Sequence, residues 1–122
     1  MNRPIKFRAW EKNLKEMIPV EEIDFNSLMI NQTTAWRFID EVELMQFAGL
    51  RDKNSVEIYE GDVLWDAHNE EHGRIAFDEG KFIVNWTTHA EDLIECLYGI
   101  YVELAGNIYE NPELLERDEN EL

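Results

Sequence analysis

The stretch from Arg74 to Trp86 constrains the fold more than any other part of the chain. Arg74-Ile75-Ala76-Phe77-Asp78 and Lys81-Phe82-Ile83-Val84-Asn85-Trp86 flank Glu79-Gly80. Phe82, Val84 and Trp86 alternate onto one face, with Ile75 and Phe77 placed to lie opposite them. Alternation with period two marks a half-buried strand, and a two-residue connection ending in glycine closes two such strands into an antiparallel hairpin.

The same pattern recurs elsewhere. Ile5-Lys6-Phe7-Arg8-Ala9-Trp10 alternates, with Ile5, Phe7 and Ala9 on one side and Lys6, Arg8 and Trp10 on the other. Glu11-Lys12-Asn13 supplies a turn and Glu16-Met17-Ile18 a returning strand, which Pro19 is expected to stop because proline donates nothing to a ladder. Leu44–Gly49, Val56–Tyr59, Val63–Trp65 and Tyr101–Gly106 read as further strands. Between them lie the turns Asp52-Lys53-Asn54-Ser55 and Glu60-Gly61-Asp62, where Gly61 is free to take positive φ. From Val20 to Val42 the pattern weakens. Ile23-Asp24-Phe25 reads as a short strand and residues 31–34 as a loop before Ala35-Trp36-Arg37-Phe38-Ile39.

Helix is a minor component. Thr88 with Glu91 three residues later spells a capping box ahead of Leu93, Ile94 and Leu97, and Gly99 can end that helix. Asn111-Pro112 opens a second short helix through Leu115. No long helix follows a strand, as parallel βαβ units would require. The expectation is a mainly β, β-rich α+β fold of short antiparallel strands, a small barrel or sandwich with one or two short helices. A chain of 122 residues fits one domain, set at 1–116, with 117–122 as a frayed acidic tail.

Charge narrows the function. There are 27 acidic and 11 basic side chains, a net charge of −16. Such a surface repels phosphate, which argues against direct nucleic-acid binding and against anionic membranes. The charge is uneven: Arg3, Lys6, Arg8, Lys12 and Lys15 face only Glu11 within residues 1–15. A basic hairpin on an acidic body could pair within the chain or with a neighbouring copy. Cys96, the single cysteine, sits beside Leu93, Ile94 and Leu97 and reads as a small buried hydrophobe. Polar Asn2-Arg3-Pro4 after Met1 does not resemble a secretory leader, and no apolar run approaches a membrane span. A cytoplasmic location is expected.

Motifs for chemistry are weak. His68-Asn69-Glu70-Glu71-His72 spells an inverted zinc-peptidase motif, which needs both imidazoles on one helical face. It falls between strand residues, so a solvated loop is the simpler reading. Glu21/Glu22, Glu70/Glu71 and Glu91/Asp92 are adjacent carboxylates, but glycosidase chemistry needs carboxylates across a cleft. The serines, Ser27 and Ser55, lie outside any nucleophile elbow, and glycines sit singly at turns. Trp10 between Lys6 and Arg8, together with Tyr59, is the candidate interaction surface.

Three segments resemble the YopX-like family of bacteriophage and prophage proteins. They are Lys6-Phe7-Arg8-Ala9-Trp10 with Met17; Leu44 through Asn54 continuing to Glu57-Ile58-Tyr59-Glu60-Gly61-Asp62-Val63; and Gly106 through Leu115. The family pattern has glycine after Asp-Lys-Asn, where this chain has Ser55; Asn54 is the expected left-handed residue instead. The resemblance implies a β-rich fold and a small phage accessory protein in a bacterial cytoplasm, and the Glu-Gly-Asp-Val turn is similar to the opening of SH3-like barrels. It implies no activity, cofactor or catalytic residue. The expected function is a non-enzymatic module that binds a protein partner or self-assembles as a homo-oligomer. The alternatives are an acidic nucleic-acid mimic that blocks a host DNA- or RNA-binding protein, and a metal-dependent hydrolase.

Overall fold

The computed structural model describes residues 4–116, which places the tail assigned to 117–122 outside the described residues. The chain is mainly β, with half of it in strand, antiparallel sheets and one curled half-barrel. It divides into two compact units, Met1–Phe47 and Ala48–Leu122.

In the first unit, β1 (Phe7–Glu11) pairs antiparallel with β2 (Glu16–Val20) on one side. On the other side it pairs with the first half of β6 (Val42–Arg51). β2 does not stop at Pro19: Pro19 sits opposite Arg8 and Val20 opposite Phe7. β2 is the edge strand of its sheet, so the missing proline N–H breaks no ladder. Between β2 and β6 the chain forms a small sheet of β3 (Ile23–Asp24), β4 (Met29–Ile30) and β5 (Arg37–Phe38), followed by a 3-10 turn over Ile39–Glu41. Alternation on β1 puts Ala9 into a core with Ile30 and Val42, packed by Ile18, Ile23, Ile39 and Leu44.

The second unit continues from β6 to β7 (Glu57–Tyr59) and then builds a five-stranded antiparallel sheet. Its strands are β8 (Asp62–Asp66), β9 (Glu71–Asp78), β10 (Lys81–Asn85), β11 (Ala90–Asp92) and β12 (Val102–Asn107), in the order β11-β10-β9-β8-β12. The β9–β10 hairpin forms as its sequence requires. Glu79 and Gly80 both have positive φ (50° and 81°), the turn geometry that matches strand twist. Phe77 pairs with Phe82 and Ile75 with Val84. Ile75, Val84, Trp86, Leu64, Ile58, Leu93 and Cys96 form the buried core.

The Thr88 capping box does not form. Residues 90–92 join the sheet as β11, so the helix α1 is the single turn Leu93–Cys96, preceded by Asp92. The second helix, Pro112–Leu115, is a 3-10 turn with Pro112 at its start. The left-handed residue of the Asp52 turn is Ser55 itself, at φ 64°, and not Asn54. Serine thus occupies the backbone conformation that suits the family's glycine.

Candidate functional site

β1 carries Lys6, Arg8 and Trp10 along one face, Lys6 just ahead of the strand itself. Arg8 lies between Pro19 and Met45, and Trp10 between Met17 and Glu43. Both side chains are half-buried. The Lys6 ammonium stands 5.4 Å from the centre of the Phe47 ring, a cation–π contact. Met45 and Phe47 reach the same face from β6 and are buried there, while Lys6 is exposed. Tyr59 lies in the other unit at the end of β7, where its amide donates to Asp62 at 2.8 Å.

The buried acids that could serve as acid–base groups are occupied by backbone. Asp52 accepts the amides of Asn54, Val56 and Leu104 at 2.9–3.0 Å. Burial opposes ionisation of Asp52, but these three amides outweigh it and hold its pKa below the usual carboxylate range. Asp66 accepts from the amides of His68 and Asn69 and from the Asn69 side chain. Glu11 accepts from the amides of Asn13 and Leu14, which lower its pKa against the opposing effect of desolvation, with Arg37 adding to the shift. A carboxylate that closes a turn in this way is fixed and saturated, which suits it to architecture rather than proton transfer.

The His-x-x-Glu-His spelling spans a turn and a strand. His68 lies in the turn after β8 with its ring 5.1 Å from that of Tyr101, whereas His72 lies on β9 with its ring 4.7 Å from that of Trp65. Among the described residues no group of three His, Cys, Asp or Glu side chains is placed to hold a metal ion. A cleft of about 590 Å³ opens beside this region, with Trp65, Glu70, Glu71, His72 and Leu115 among the residues that line it. Cys96 is buried, and desolvation raises its pKa to about 12.

Two groups of large apolar side chains face solvent. One lies on and after α1, where Ile94, Tyr98, Ile100 and Tyr101 are exposed. The other lies on the β3-β4-β5 sheet and was not legible in the sequence. Asp24, Met29 and Phe38 lie in register across these strands, while Ile23, Ile30 and Arg37 lie in register on the alternate positions. Ile23 and Ile30 belong to the core. The opposite face therefore presents Phe38, with Trp36 edge-on to it at 5.3 Å and 76°. The β3–β4 turn adds exposed Phe25 and Leu28. The only cue in the sequence was four large apolar residues spaced without strand or helix period.

A family model for YopX protein matches residues 6–116. The chain belongs to the YopX family. It is similar over 94% of its length, and all of the other chain, to the crystal structure of protein EF1440 from Enterococcus faecalis, at 30% identity and a TM-score of 0.74. Protein yopX from Bacillus subtilis shares the fold at 20% identity and a TM-score of 0.58, with 91% of this chain and 98% of that one covered. Among curated proteins none matches. Within the YopX motif segments, the polar residues close turns. Asp62 takes the Tyr59 amide, Asn107 takes the amides of Tyr109 and Glu110, and Asn111 takes that of Asn107.

Proposed function

We propose that this YopX-family chain is a non-enzymatic phage or prophage accessory protein that acts in the bacterial cytoplasm by binding a protein partner of net positive charge. The observation that carries this reading is the exposure of large aromatic and aliphatic side chains on a chain of net charge −16. Exposed apolar groups ringed by polar ones mark interaction sites, and complementary charge selects and steers the partner. The saturation of Asp52, Asp66 and Glu11 by backbone amides supports a binding rather than a catalytic role. Self-assembly is the weaker form of this reading, because two copies of such an acidic chain repel each other. No helix among the described residues is long and apolar enough to cross a membrane.

The test is an affinity capture from bacterial lysate at low and at high salt, read by mass spectrometry. A basic protein retained at moderate salt supports the reading. Capture of a nucleic-acid enzyme that is displaced by DNA or RNA would move the protein to the mimic class. Recovery of the bait alone, with turnover of a small molecule by the purified protein, would overturn the reading.

A further inference from the structure

We propose that the outward face of the β3-β4-β5 sheet, with Leu28, Trp36 and Phe38 as its contacts, is a docking surface for a protein segment that carries an apolar anchor flanked by Lys or Arg. The inference rests on the protein-binding reading and adds the surface and the chemistry of its occupant.

The apolar groups here are in large part offered to solvent. Phe25 is 77% exposed, Leu28 58% and Trp36 50%. They are also held in place. Asp24 accepts the amides of Asn26 and Ser27 at 2.8 and 3.2 Å, and Gln32 donates to the Ser27 hydroxyl at 3.0 Å. Glu41 accepts the Phe38 amide at 2.9 Å, and the Leu28 carbonyl accepts the Ile39 amide at 2.8 Å. A pre-organised apolar surface loses little entropy when a partner docks. Leu28 holds φ at 58°, a conformation in which glycine or asparagine would be less strained. A leucine side chain held in a strained conformation and mostly exposed gains little from burial, and such strain clusters at functional positions.

Charge identifies the occupant. Residues 21–41 contain Glu21, Glu22, Asp24, Asp40 and Glu41, against the single cation Arg37. Arg37 acts on Glu11, whose pKa it helps to lower, and donates to the Trp36 carbonyl at 2.8 Å. A groove of about 400 Å³ beside Trp36, with Thr34, Ala35, Arg37 and Glu41 in its walls, has room for one apolar anchoring side chain, and the cationic flanks fall to the carboxylates outside it. Asp24, in register with Met29 and Phe38, and Glu41, at the Phe38 amide, border the apolar surface and favour an apolar segment with cationic flanks. A second copy of this chain, at −16, is disfavoured by the same field.

The experiment selects binders from a displayed random-peptide library on the full-length protein, then titrates the enriched peptides, fluorescein-labelled, by anisotropy. Expected are peptides with a large apolar residue beside Lys or Arg, whose binding weakens as salt is raised. Trp36→Ala and Leu28→Gly should each weaken binding about tenfold or more, while the double change Tyr98→Ser with Ile100→Ser leaves it unchanged. Leu28→Gly relieves backbone strain, so loss of binding with an unchanged or raised melting temperature cannot be a folding defect. Binding that survives Leu28→Gly and Trp36→Ala but fails in the Tyr98/Ile100 variant overturns the placement and leaves the protein-binding reading standing. Enrichment of acidic peptides, or of none while lysate capture succeeds, overturns the proposed occupant. No enrichment and no capture overturn both.

Discussion

Replacing Asp52 by alanine should cost the protein about 3 kcal/mol of stability, a figure that follows from the hydrogen bonds of one carboxylate. Asp52 is 7% exposed and joins two parts of the second unit. Its Oδ1 accepts the amides of Asn54 and Val56 within the turn, and its Oδ2 accepts the Leu104 amide of β12. Bonds to an ionised acceptor contribute about 1.5–3 kcal/mol each. The turn lies beside exposed Lys53 and Asn54. Water therefore reaches some of the freed amides, and the loss stays near 3 kcal/mol, below the full sum. For a domain of this size that lowers the melting temperature by about 12 °C. Asp52→Asn keeps one carbonyl oxygen for the two turn amides but sets an amide donor against the Leu104 N–H, at about half the cost. The pH dependence has a definite sign. The folded pKa is lowered, so the contribution is present above the unfolded value near 3.9 and fades as pH falls through the folded value. The gap between wild type and Asp52→Asn should therefore narrow below about pH 4. Thermal melts followed by circular dichroism at pH 7 and at pH 3 measure both effects. An Asp52→Ala protein melting within about 4 °C of wild type would refute the assigned role.

Three further outcomes follow from the same geometry. Ser55→Gly removes the strain of a serine at φ 64° and should raise stability by about 0.5–1 kcal/mol, since left-handed strain exceeds the entropy cost of glycine; a lowered urea midpoint would count against it. Gly73→Ala places a methyl 2.5 Å from Cγ1 of buried Val84 and 2.6 Å from Cε3 of buried Trp86, so it should destabilise by about 2–3 kcal/mol in urea titration; wild-type stability would mean that both side chains shift freely. Cys96, with its pKa raised to about 12 by burial, should resist a thiol reagent at pH 8 in the folded protein and react fully in denaturant; rapid labelling of the folded protein would show that the thiol is not enclosed.

The sequence was most legible where local pattern and turn chemistry agreed. The β9–β10 hairpin follows from the alternation around Glu79-Gly80, and Gly61 takes φ 85° in the turn expected of it. Readings missed where position in the sheet outweighed local rules. Pro19 is harmless because β2 is an edge strand, a fact of topology that sequence does not display. The Thr88 capping box lost to pairing of Ala90 with Asn85, which takes residues 90–92 into the sheet and leaves α1 one turn. The segment from Val20 to Val42 stayed opaque because two-residue strands are too short to show a period. For the candidate surface, alternation placed Lys6, Arg8 and Trp10 together on β1. It carried no information about Met45 and Phe47, which reach the same face from β6 and are buried there.

The division of labour along the chain explains why family membership identifies the scaffold more readily than the activity. The residues that make the YopX motifs distinctive, Asp52, Gly61, Asp62, Asn107 and Asn111, form turns, and each uses its polar group or its positive φ on backbone geometry. Replacing such a side chain removes hydrogen bonds from the backbone amides of the turn it closes, which costs stability. The exposed apolar face lies instead between the first two motif segments, on short strands joined by turns. There a substitution alters what the surface can hold without disturbing the ladders of β1, β2 and β6. Loops and small sheets on a fixed scaffold are where binding specificity can diversify at least cost to folding. On this view two YopX proteins can share Asp52 and Asn107 yet bind different partners. Exchanging residues 21–41 between them should carry the partner preference with it and leave the fold of the second unit unchanged.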